Sequence, residues 1–167
     1  ERQERKSGAL VDGFRYVAKR PDLVAMLAMV ALVGTFGFNF AIFIATMAVS
    51  VFHVGAGKYG LLSSAMALGT LSGAMLAANR EKPTFRLLVG GTLMFGLACA
   101  AAALMPGYWL FAGTLVLGGI AAMTFANSSN TLMQLTTEPA MRGRVMAIRL
   151  ALMMGGTPIG APLVGWV

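Results

Sequence analysis

Three long stretches of this chain, residues 23–52, 59–79 and 87–137, contain no lysine, arginine, aspartate or glutamate. Each exceeds the roughly 20 apolar residues needed to cross a hydrocarbon core about 30 Å thick. The third is long enough for two crossings, and it is punctuated by Met105-Pro106-Gly107, with Tyr108 and Trp109 following as aromatics suited to a membrane interface. A further uncharged run covers residues 150–167. Only 11% of the residues are charged against 57% hydrophobic, whereas soluble domains carry roughly 25% charged residues and need them to solvate their surface. The expected fold is all-α: a polytopic transmembrane helical bundle with five spans near residues 23–51, 59–78, 87–104, 108–136 and 145–167. Residues 1–20 form a linker ahead of it, and residues 21–167 form the bundle.

The cations define the sides of that bundle. Arg2, Arg5, Lys6, Arg15, Lys19 and Arg20 precede the first span, Arg80, Lys82 and Arg86 lie between the second and third, and Arg142, Arg144 and Arg149 surround the start of the fifth. Lys58 alone among the 13 basic residues falls in the alternate connections. Cytoplasmic loops collect Lys and Arg, so the N-terminus is expected inside and residue 167 near the outer face. The net charge of +7 is thus explained by topology, and no nucleic-acid partner is expected. The charged N-terminal segment and the long first span argue against a cleavable signal peptide.

Within the linker, Leu10, Phe14 and Val17 recur at helical spacing with Val11 and Ala18 beside them, while Asp12, Arg15, Lys19 and Arg20 fall elsewhere on the wheel. Such a pattern predicts a short amphipathic helix lying at the inner interface. Pro21 marks the corner into the first span, because proline opens a helix without sacrificing a needed donor. Gly69 with Gly73, and Gly156 with Gly160, are spaced for close helix approach. Pro158 and Pro162 are expected to bend the last span.

Polar residues inside the uncharged stretches form two stripes. Projected on a straight helix, Thr35, Asn39, Thr46 and Ser50 fall within about 60° of one another. In the fourth span Thr124, Asn127, Thr131 and Gln134 recur at i, i+3, i+7 and i+10, with Ser128 and Asn130 close by. The third span offers only Thr92 and Cys99. An amide in hydrocarbon without a partner costs several kcal/mol, so the first and fourth helices should line an interior and the third should face lipid. Helix–helix adhesion is the competing explanation for each single residue.

Little else in the sequence points to chemistry. No acid or histidine lies within a span, His53 sits at the outer end of the first, and the lone Cys99 has no partner for a disulfide. One histidine and one cysteine do not make a metal cluster or a nucleophile with its base. Neither an enzyme, a cofactor nor a metal site is expected.

The run from Gln134 through Glu138-Pro139-Ala140-Met141-Arg142-Gly143-Arg144-Val145-Met146-Ala147, followed by Gly155-Gly156-Thr157-Pro158-Ile159-Gly160-Ala161-Pro162, resembles the loop and helix joining the tenth and eleventh spans of major facilitator superfamily transporters. More narrowly it is similar to the bacterial transmembrane secretion effector branch, which includes enterobactin-type exporters. Gly13-Phe14-Arg15-Tyr16 with Pro21-Asp22, and Tyr59-Gly60-Leu61-Leu62, are similar to that branch's entry into the seventh and eighth spans. The resemblance implies a partial major-facilitator fold made of helices seven to eleven, with the N-terminal half and the twelfth span missing. It also implies that helices seven and ten line the central cavity and that nine is peripheral. The loop after the second span keeps Arg80 and Lys82 but lacks the Asp and Gly of the superfamily's best-known loop signature.

Together these readings predict part of a secondary active exporter of small molecules in the inner (cytoplasmic) membrane. It would work by alternating access, with the bilayer, a solute and the missing half as its partners and no activity as an isolated fragment. Asn39, Thr46, Asn127 and Thr131, with Thr35 and Gln134, are the candidates for the cavity wall. Glu138, Arg142, Arg144 and Arg80 are candidates for cytoplasmic gating or for topology alone. The alternative is a non-transporting membrane scaffold or accessory subunit in which the stripes only pack helices.

Overall fold

The computed structural model describes residues 9–37, 39–79 and 83–165. Among them there is helix and no strand: α1 Ala9–Ala18, α2 Pro21–Leu32, α3 Phe40–Thr46, α4 Ala56–Ala78, α5 Phe85–Leu104, α6 Tyr108–Thr136 and α7 Pro139–Gly165. Arg80 and Lys82 lie outside the described residues. Four helical segments are long and apolar enough to cross a membrane: Pro21–Val51, Ala56–Ala78, Phe85–Leu104 and Tyr108–Thr136. The expected fifth is less clear-cut, because α7 carries Arg142, Arg144 and Arg149 in its first half.

The helix ends follow local chemistry. Pro21 occupies the first turn of α2, where its missing N–H has no intrahelical role. Thr84 caps α5, its side chain accepting from the Leu87 N–H at 3.2 Å. Met105-Pro106-Gly107 separates α5 from α6 as the punctuation requires. His53 closes the first segment with φ of 50°, and the Val54 N–H donates back to the Ala48 carbonyl at 2.8 Å.

The first segment departs from the straight helix assumed for its polar stripe. A π turn, Val33–Gly37, follows α2, and a second, Met47–Val51, follows α3. Each π turn widens the helix and shifts the register of everything beyond it, so the projection that aligned Thr35, Asn39, Thr46 and Ser50 fails. Gly34 stands at the first of these turns because α7 leaves no room there: an added Cβ would lie 3.0 Å from the Met153 backbone.

Two tight pairs of helices make the bundle. In the first, α4 lies on α6: a Cβ on Gly69 would collide with the Val116 carbonyl, and one on Gly119 would meet the Met66 carbonyl at 2.6 Å. In the second, α7 lies on the first segment through Gly34 and Gly156. Small residues let membrane helices gain dispersion contacts where no hydrophobic drive separates protein from lipid. A core of Leu23, Val30, Leu88, Phe125, Met133 and Val145 joins the two pairs near the α1 end. At the opposite end Phe52 and Phe43 pack with tilted rings against Phe111, with Tyr108 edge-on to Phe52. Helix α5 packs one face on α6 and leaves Leu93, Leu97 and Leu104 exposed, as a peripheral lipid-facing helix does. Helix α1 packs on α7 through Gly13 and buries Val17, while Val11 and Phe14 stay exposed.

Candidate functional site

The polar residues of α6 divide between two environments. Thr124 is buried, with its methyl 3.5 Å from the Cβ position of Gly91 on α5, and so serves helix packing. Ser129 is fully buried. Asn127, Asn130 and Gln134 are partly exposed, and their amides make no hydrogen bond to another described residue. Ala126, Asn130 and Gln134 stand at i, i+4 and i+8, and form one ridge along the helix. Thr131 is exposed and shares its face with Leu117 and Leu135, themselves exposed. An amide ridge on a helix that is otherwise packed by glycine and phenylalanine has to look onto water, solute or further protein.

The first segment behaves differently. Asn39 is buried at 4% exposure, and its Nδ2 donates to the Thr35 carbonyl at 2.9 Å. It therefore satisfies an acceptor released where the helix is interrupted. The Thr35 hydroxyl stands at the α7 crossing, 2.7 Å from where a Cβ on Gly156 would be. Thr46 is half-buried at the end of α3, and Ser50 is exposed. Asn39 and Thr35 are thus engaged within the first segment and at its α7 crossing.

At the α1 end the charged residues tie the elements together. Arg20 holds Asp22 with two bonds, at 3.0 and 2.7 Å, and also donates to the Thr136 carbonyl at 3.3 Å. Arg144 faces Asp12 at 3.9 Å, linking α7 to α1, and Glu138 is exposed with its backbone N–H donating to the Tyr16 hydroxyl. Arg142 is exposed. Neither Arg142 nor Arg144 pairs with Glu138 among the described residues.

Arg149 is the residue that the sequence reading misplaced. Counted there with the flanking cations, it is instead 8% exposed inside α7, with Nη2 donating to the Ala126 carbonyl at 3.2 Å and to the Ser129 hydroxyl at 3.1 Å. Its position four residues beyond Val145, at the start of a run of Leu, Ala and Met, was the available signal. Among the described residues no group of three His, Cys, Asp or Glu side chains is placed to hold a metal.

Apolar helices of membrane-crossing length, packed through glycines around a helix with an amide ridge, define a multi-pass α-helical membrane protein with polar groups held inside its bundle. A model of the family described as transmembrane secretion effector matches residues 2–167. The chain belongs to that family, a branch of the major facilitator superfamily. It is similar to the enterobactin exporter EntS of Citrobacter koseri, with 29% identity over 160 residues. That alignment covers 94% of this chain and 38% of the relative, so the chain spans well under half of the protein it matches. No solved structure matches it.

Proposed function

We propose that the chain is part of a secondary active exporter that moves a small organic molecule across the cytoplasmic membrane by alternating access. Five helical segments would cross the bilayer, the fifth within α7, with the α1 end in the cytoplasm. The observation that carries this reading is the row of accessible amides at Asn127, Asn130 and Gln134 on α6. Membership of the secretion effector family and likeness to an exporter support it. In such transporters two bundles rock about a site near the midplane, and half of that site's wall would come from segments beyond this chain. Asn127 and Gln134 stay as solute-facing candidates, with Thr46 at the far end of α3. Asn39, Thr35 and Thr131 become candidates of a different kind, since two sit at packed junctions and Thr131 stands among exposed leucines.

The test is efflux from cells carrying the complete gene, across a panel of candidate solutes. Asn127→Ala and Gln134→Ala should each lower efflux of a carried solute several-fold with unchanged membrane abundance. Thr131→Ala should leave efflux near the wild-type rate. Wild-type efflux by both amide variants would remove the α6 ridge from the solute path. The scaffold reading has one point in its favour, the burial of Thr124 against α5 and the seating of Thr35 at the α7 crossing. It predicts that no solute in the panel is carried.

A further inference from the structure

Helix α1 has two apolar faces, and only one of them is used inside the chain. A Cβ on Gly13 would lie 3.2 Å from the Arg144 Cβ and from the Ile148 Cδ1 of α7, and Val17 is buried in the core. Val11 and Phe14 turn away from both and are 60% and 58% exposed, with Ala18 exposed as well. At about 100° per residue these three span roughly 60° of the helix, and Arg15 and Lys19 border them on one flank. Phe14 and Val17, neighbours on the helical wheel, are thus divided between an outward face and a docked one.

The charges of α1 are divided in the same way. Its one acid, Asp12, faces Arg144 on α7. Arg15 and Lys19 are exposed, and neither has an ion-pair partner among the described residues. The outward side of α1 is therefore an apolar stripe edged by unpaired cations.

Its attachments fix the level at which that side stands. Only Lys19 and Arg20 separate α1 from Pro21, which opens a segment of membrane-crossing length. The helix also runs back along the start of α7: the Tyr16 hydroxyl accepts from the Glu138 N–H, while Gly13 meets Ile148, ten residues further on. Held in this way, α1 stays where the first segment enters the bilayer. An amphipathic helix at that level buries its apolar face about 5–10 Å into the boundary between headgroups and acyl chains. Cations beside that face meet lipid phosphates.

We propose that α1 is a lipid-binding helix whose outward face recognises an anionic phospholipid. Val11 and Phe14 rest against the upper acyl chain, and Arg15 and Lys19 hold the negatively charged headgroup. The cations beside the stripe are what single out an anionic lipid over a neutral one. The proposal stands apart from the transport reading, because a non-transporting scaffold would present the same face to the bilayer.

Fluorescence quenching by lipids tests it. The full-length protein, made Cys-free and carrying Val11→Cys labelled with nitrobenzoxadiazole, is reconstituted in phosphatidylcholine vesicles. These contain an equal mole fraction of either phosphatidylglycerol or phosphatidylcholine spin-labelled near the headgroup end of one acyl chain. Both lipids should quench the label, and the phosphatidylglycerol should do so about threefold more efficiently or better, since each Lys or Arg near an anionic surface gives roughly a fivefold gain in attraction. High salt should shrink that preference by screening exposed charges. Arg15→Gln with Lys19→Gln should bring the two lipids level, and Arg15→Lys should keep the preference.

No quenching by either lipid would overturn the proposal, because the face would then be covered by protein or open to water. Equal quenching of the unsubstituted helix by the two lipids would overturn it as well, leaving contact without recognition of charge. A preference unchanged by removal of both cations would do the same, since other basic residues would then be its source.

Discussion

His53 adopts a left-handed backbone at φ of 50°, a conformation that costs an L-residue roughly 1–2 kcal/mol. It is nevertheless retained where the first segment closes on the Ala48 carbonyl. His53→Gly should therefore raise the unfolding midpoint of the full-length protein slightly, and His53→Val, with a branched β-carbon, should lower it. An equal midpoint for the two variants would show that the turn is not under this constraint. The Asp12–Arg144 pair is a weaker case: both side chains are more than a third exposed and 3.9 Å apart, and such pairs contribute about 0–1 kcal/mol. Asp12→Ala should leave the midpoint within about 1 °C, by the same conversion of energy to temperature. Residue identities in the sequence announced charge and polarity but not partners. Glu138 was the acid nearest to Arg142 and Arg144 in the chain, yet Asp12 reaches Arg144 because α1 folds back onto α7.

Two helix boundaries were legible because their determinants are local: a proline at Pro21 and the Met105-Pro106-Gly107 break. The interruption of the first segment was not. Its Gly34 and Gly37 could equally have belonged to a straight, closely packed membrane helix, and only the approach of α7 at Met153 and of Phe95 at Gly37 explains them. The α4–α6 pair makes a sharper prediction. A Cβ on Gly69 would collide with the Val116 backbone, which cannot rotate away as a side chain could. Gly69→Leu should force the helices apart and cost at least the roughly 1–3 kcal/mol typical of overpacking, visible as a lower midpoint and reduced yield. Gly60→Ala, where nothing lies within 4 Å, is the control and should behave as wild type. Equal yields for the two would mean that the α4–α6 crossing is looser than described.

For the molecule as a whole, the distribution of cations makes the bilayer orientation testable. With cysteine replacements in an otherwise Cys-free full-length protein, a membrane-impermeant reagent added outside intact cells should label position 58 and leave position 142 unlabelled. Labelling of both from the same side would reverse or abolish the proposed topology. Of the 13 basic residues in the sequence, eleven fall in the connections expected on one side and Lys58 on the other, while Arg149 stands against α6 with no described acid to meet it.

The sequence by itself determined that this chain is helical and built for a membrane, because uncharged runs of that length have no other solvent and because helix starts and stops depend on neighbours a few residues away. Tertiary packing decided which polar groups are used up and which remain open. Thr124, Thr35 and Asn39 looked like cavity residues on a helical wheel, but glycine contacts and a π turn placed them at junctions. Arg149 looked like a topology signal until α6 closed over it. Hydrogen-bond partners lie across helices, and the register between helices is set by side-chain volume at their crossings, which a pattern along one strand of sequence does not encode.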